Sequence, residues 1–148
     1  MEHRTTRRVV AVGTTIFVVS LVGLVLALIF EWPTQFDGSG AATVTMDELV
    51  ANGTATSIPV APWVALGLFT VLARSRRWWG TVAVVLLCVL GPLFVIGGLG
   101  EAFAPDNPYV SRTVLVVSGV IATGMGLTLL ASGIADLVDR RRTSRQPV

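Results

Sequence analysis

Few side chains in this 148-residue chain could carry covalent, redox or metal chemistry, and their types and spacing exclude most of it. A His/Cys metal site needs three or four ligands, whereas His3 and Cys88 are the single His and the single Cys. A haem held between helices needs axial histidines within them, and His3 stands in the tail ahead of any apolar run. Thiol–disulfide exchange needs a second thiol, and Cys88 has none. The nine carboxylates all fall outside the apolar runs. The runs therefore lack the embedded carboxylate of a proton-coupled carrier and the aspartates of an intramembrane protease. Hydroxyls such as Ser20, Thr70, Ser118, Thr123 and Ser132 lie in the runs with no base–nucleophile pair evident. Such hydroxyls bond their own helix or a neighbour. The sequence accordingly assigns no catalytic, cofactor-binding or metal-binding residue, and it points to a protein that is not an enzyme and carries no cofactor.

The elements that hold these residues are set by where charge is missing. Of all residues 53% are hydrophobic and 14% charged, with a mean hydropathy of +0.75. Soluble domains carry about a quarter charged residues. Val9–Phe30, Ile58–Ala73, Trp78–Gly100 and Thr113–Ala135 contain no Asp, Glu, Lys, Arg or His. About 20 apolar residues rising 1.5 Å each cross a hydrocarbon core of roughly 30 Å. The first, third and fourth stretches reach that length. The second reaches it once the uncharged Thr54–Ser57 is added. None shows the polar face that a soluble helix needs. The expected architecture is all-α: a single integral membrane four-helix bundle over residues 1–148, with spans near 9–30, 55–75, 78–100 and 113–135. Outer loops at 31–57 and 101–112 complete it. The first run is too long for a cleaved signal peptide and ends at Phe30-Glu31-Trp32 without the small residues of a cleavage site.

All eleven basic residues are Arg. Arg4, Arg7 and Arg8 precede the first span, Arg74, Arg76 and Arg77 lie between the second and third, and Arg140, Arg141, Arg142 and Arg145 follow the fourth. On the other side Arg112 stands alone among Glu31, Asp37, Asp47, Glu48, Glu101 and Asp106. The positive-inside bias puts both termini in the cytoplasm. The Arg clusters then meet anionic lipid head groups, and the high isoelectric point is no sign of nucleic-acid binding. Trp32, Trp63 and Tyr109 fall near the outer boundary and Trp78-Trp79 near the inner one, where amphipathic rings anchor. Exclusive use of Arg over Lys, with much Val, Ala and Gly, suits a bacterium with a GC-rich genome and hence its plasma membrane.

Small residues mark the packing faces. Gly13, Ser20, Gly23 and Ala27 recur at steps of three and four in the first span, with Ile16 between them. Gly119, Ala122, Gly126 and Gly133 do the same in the fourth. Such seams let membrane helices approach closely, and they predict that the first and fourth spans meet through Ser20/Gly23 and Ala122/Gly126. Pro92 lacks a donor for the carbonyl of Cys88 and predicts a kink in the third span. At the outer ends Glu101 and Arg112 are placed to pair, and at the inner end Asp136 and Arg140 have the spacing of a helical salt bridge. In the first outer loop Thr45-Met46-Asp47-Glu48 forms a capping box, and Asn52-Gly53 a stop signal. A short helix over Thr45–Ala51 follows, with Thr45, Asp47 and Glu48 as candidate recognition residues.

Absent chemistry, packing seams and a structured outer loop together point to an accessory or assembly partner of a larger membrane complex. The alternative is a small transport or permeability protein for an apolar or neutral solute, with the pathway shaped near Pro92. Anionic lipids are the expected partners, with another membrane protein as a further candidate.

Overall fold

The computed structural model describes residues 4–30, 50, 53, 59–103 and 111–144. Among these the protein is all-helical, with α1 over Arg4–Ile29, α2 over Val60–Leu72, α3 over Trp78–Ala102 and α4 over Arg112–Ser144. Three of the four, α1, α3 and α4, are long and apolar enough to cross a membrane. Neighbours in the chain pack on one another, and α4 also returns to α1. The α3–α4 contact is the most extensive.

The inward face of α1 is Thr6, Val9, Gly13, Ile16, Ser20, Gly23 and Ala27, all buried at alternating steps of three and four. This contains the whole small-residue seam read from the sequence. Its outward residues, among them Val18, Val22 and Val25, are exposed bulky aliphatics. The core is assembled from Val9 and Ile16 of α1, Leu66 of α2, Ala83, Val84 and Leu87 of α3, and Leu129 of α4. Interdigitation of these side chains, rather than water exclusion, supplies the contact energy where the surroundings are hydrocarbon.

The fourth-span seam has a different partner from the one expected. A Cβ on Gly126 would lie 2.5 Å from the carbonyl oxygen of Gly91 and 2.9 Å from Phe94 Cβ, and one on Gly119 would strike the carbonyl of Gly98. Gly133 faces Cys88. The glycines of α4 thus face α3, and Gly91 and Gly98 answer them at the same seven-residue spacing. Two glycine rows at the same interval let the backbones come together, whereas the glycines of α1, Gly13 and Gly23, stand ten residues apart and do not match the seven-residue row of α4. Gly13 of α1 is used against α2, where it lies against the side chain of Thr70.

The second element is shorter than the expected 55–75 span. Helix α2 has 13 residues, about 20 Å long. Pro59 precedes it with extended backbone, φ −51° and ψ 150°, and Pro62 sits in its first turn. Proline has no N–H, and its ring clashes with the carbonyl four residues earlier in a helix. A helix through this stretch therefore starts near 59, as the Trp63 N–H to Pro59 carbonyl bond of 3.1 Å marks. Absence of charge indicated a span; it carried no information about where the helix could begin. By contrast α4 runs nine residues past the expected 135, carrying Asp136, Asp139 and Arg140 on its last turns. Helix α3 continues through Pro92, which lies on the exposed surface. The Thr45–Ala51 helix, with Thr45, Asp47 and Glu48, lies outside the described residues except for Val50, which is helical. Gly53, the glycine of the Asn52-Gly53 stop signal, has φ 71°, a left-handed conformation that glycine adopts without strain.

Candidate functional site

Two places stand out: a buried polar clamp where the Arg-bearing segments meet, and an apolar notch beside the far half of α3.

The clamp is centred on Asp136, which is fully buried. Thr6 Oγ1 donates to Asp136 Oδ1 at 2.6 Å, and Thr5 Oγ1 donates to the same oxygen at 3.0 Å. Arg140 Nε donates to Oδ2 at 2.6 Å. The guanidinium then reaches across to the α2–α3 turn, where it donates to the carbonyls of Ala73 at 2.6 Å and Ser75 at 2.8 Å. Those carbonyls lie where α2 has ended and no helical N–H serves them. Asp139, one turn short of the helix end, accepts from Thr5 at 3.1 Å and from Arg76 at 3.4 Å. The i,i+4 pair read from the sequence is therefore present, but its larger role is tertiary. One carboxylate and one guanidinium tie the start of α1, the turn after α2 and the end of α4 together. A Cβ on Gly80 would strike the Ser75 carbonyl, so the turn fits only glycine there. Thr5 and Thr6 were not marked by sequence reasoning. Their signal was two hydroxyls one residue apart at the start of an apolar run, on the same face of α1 as Val9 and Gly13.

Chemically the clamp is closed. Asp136 is fully buried and held by three donors, and Arg140 is buried and donates to three acceptors, so neither is open to a substrate. Near it, Arg77 lies over the Trp79 ring at 4.9 Å. Trp78 is 73% exposed and meets Trp79 edge-on. Trp63, read from the sequence as an interfacial anchor, also makes a contact between helices. It stacks on Phe17 with centroids 4.2 Å apart, and its Nε1–H donates to the Phe17 carbonyl at 3.2 Å. Phe17 stands midway along α1, so Trp63 joins α2 to the middle of that helix. The start of α2 after Pro59 puts Trp63 in its first turn.

Glu101 is 8% exposed, and its Oε1 has no hydrogen-bond partner. It turns toward α4 beside Ser118, so an ion pair with Arg112 is not what buries it. Thr123 Oγ1, also unpartnered, lies where α4 crosses Gly98.

The notch has a volume of about 370 Å³. It lies between Pro62 and Ala65 of α2, Leu93, Phe94 and Gly97 of α3, and Ala122 of α4. Ala122, read as a packing residue of the α4 seam, is half-buried and faces this space. The notch lies where α2 starts, at Val60, beside the far half of α3, and Gly97 extends no side chain into the gap. Among the described residues no polar side chain lines it. On the side toward the clamp, Leu66 and Leu87 are fully buried in the core between the same two helices. Among the described residues no group of three His, Cys, Asp or Glu could hold a metal ion.

Comparison with known proteins matches no family model, no curated protein and no solved structure.

Proposed function

We propose that the protein is a non-enzymatic, multi-pass four-helix bundle of the bacterial cell membrane, with both termini cytoplasmic, acting as an accessory or assembly partner of a larger membrane complex. The orientation is supported by the clamp, which joins the three Arg-bearing segments at one end of the molecule. Positive-inside bias makes that end cytoplasmic, where the exposed Arg7, Arg8, Arg74, Arg141 and Arg142 face anionic lipid head groups.

One observation carries the accessory role. Most glycines of α3 and α4 are consumed by packing within the chain, yet Gly100 and Gly124 are exposed, and a Cβ on either would meet nothing within 4 Å. Outward small residues on a membrane helix are where a second helix approaches closely. Capture of the tagged full chain in mild detergent, followed by mass spectrometry, tests this. A stoichiometric membrane partner that Gly100→Leu or Gly124→Leu releases supports the role. A chain recovered alone from both mild detergent and native membrane discs counts against it. The outer loop is the second candidate contact. Replacing Gly38–Asn52 by a Gly/Ser linker of equal length is expected to leave insertion intact and to abolish partner capture.

The notch favours a second reading, a path for an apolar or neutral solute. Its closed inner side, with Leu66 and Leu87 filling the space below, supports holding a molecule over conducting one.

A further inference from the structure

We propose that Glu101 is a proton-binding latch between α3 and α4, closed while its carboxyl is the neutral acid and opened when it ionises. The latch lies at the end of the bundle away from the clamp. It requires no protein partner and does not depend on which way the chain faces in the membrane.

Glu101 directly follows the charge-free run Trp78–Gly100 and stands in the last turn of α3. It is buried where that turn meets α4. A Cβ on Gly119 of α4 would strike the Gly98 carbonyl and lie 2.8 Å from Ala102 Cβ, so the helices touch on both sides of it. A carboxylate out of water and short of donors is costly, and Oε1 has no hydrogen-bond partner. The polar group beside it is Ser118. Ser118 already donates its proton to the Leu115 carbonyl at 3.1 Å, which leaves its oxygen to accept. A neutral Glu101 has an O–H to give that oxygen, whereas a carboxylate has none. The end of a helix also carries the negative pole of its dipole, and no basic residue lies in the last turn of α3. No counter-charge comes from the packed helices: Val60–Leu72 of α2, the rest of α3 and Thr113–Ala135 of α4 hold no charged residue. The charged groups toward this end are Arg112, exposed at the start of α4, and Glu31, Asp37, Asp47, Glu48 and Asp106, which lie outside the described residues. Opening has a short path. Helix α3 ends at Ala102 and Phe103 is 78% exposed, so an ionised Glu101 reaches water by the swing of one turn, its proton passing to solvent, while Gly91 and Gly126 stay in contact.

The test follows the separation of the two helix ends against pH. The full chain, in mild detergent and a Cys88→Ser background, carries nitroxide labels at Phe103→Cys and Thr113→Cys, both exposed positions. Dipolar broadening between the labels is recorded from about pH 5 to about pH 9, a range that brackets titration of a buried carboxyl. The expected result is a reversible loss of broadening as pH rises, with the steepness of one proton, from one tenth to nine tenths complete over about two pH units. Glu101→Gln keeps the shape of the neutral acid and is expected to stay broadened throughout. Ser118→Ala removes the acceptor of the neutral form and is expected to move the transition down by about half to one pH unit. Asp106→Asn is expected to leave it in place. Constant broadening in the labelled parent chain, or opening as pH falls, overturns the proposal. So does a transition that survives in Glu101→Gln or disappears in Asp106→Asn, and so does a Glu101→Gln chain that fails to fold, since the neutral isostere must pack as the acid does.

Discussion

Removing the carboxylate of Asp136 is the sharpest test of the clamp. In Asp136→Ala the guanidinium of Arg140, whose side chain is 7% exposed, keeps its bonds to the Ala73 and Ser75 carbonyls but loses its counter-charge. Thr6, also buried, loses its acceptor. Breaking a buried ion pair from one side costs about 3–5 kcal/mol, because the remaining charge stays desolvated. No discount for solvent screening applies at this burial. Asp136→Asn keeps the volume and one acceptor oxygen for Thr5 and Thr6, so it is expected to cost less. The pair Asp136→Leu and Arg140→Met removes both charges. It should be less destabilising than the two single changes added together, by about 2 kcal/mol, within the range of coupling seen for contacting residues. Denaturant titration of the full chain in mild detergent, followed by circular dichroism, measures all four proteins. A loss below about 1 kcal/mol for Asp136→Ala, the scale of an exposed pair, refutes the clamp, and strict additivity in the cycle refutes the coupling.

Three further outcomes are expected. Gly126→Leu drives a side chain into the Gly91 carbonyl and should cost about 1–3 kcal/mol in the same titration, whereas Gly124→Leu should leave the midpoint unchanged. Trp63→Leu removes the stack on Phe17 and one hydrogen bond, and should cost about 1–3 kcal/mol. In a Cys88→Ser background, Ser39→Cys should react with an impermeant maleimide in intact cells and Ser144→Cys only after permeabilisation; labelling of position 144 in intact cells inverts the topology.

Class and composition were legible in the sequence because they depend on residue type counted along the chain. Stretches without charge marked α1, α3 and α4, since hydrocarbon tolerates few ionised side chains. The 3–4 spacing of Gly13, Ser20, Gly23 and Ala27 marked the buried face of α1, since helical periodicity is a local property. Spacing also placed Asp136 and Arg140 within reach of each other. What a face packs against is not local. Gly126 meets Gly91 and not Gly23 because two glycine rows at matching intervals permit the closest backbone approach, and that match exists only once helices are compared in space. Thr5 and Thr6 find their shared acceptor 131 and 130 positions away in the chain. The notch was the least legible feature of all. It comes from a helix that two prolines start late, set beside one that runs on, so it depends on the relative heights of two elements, which tertiary packing alone decides.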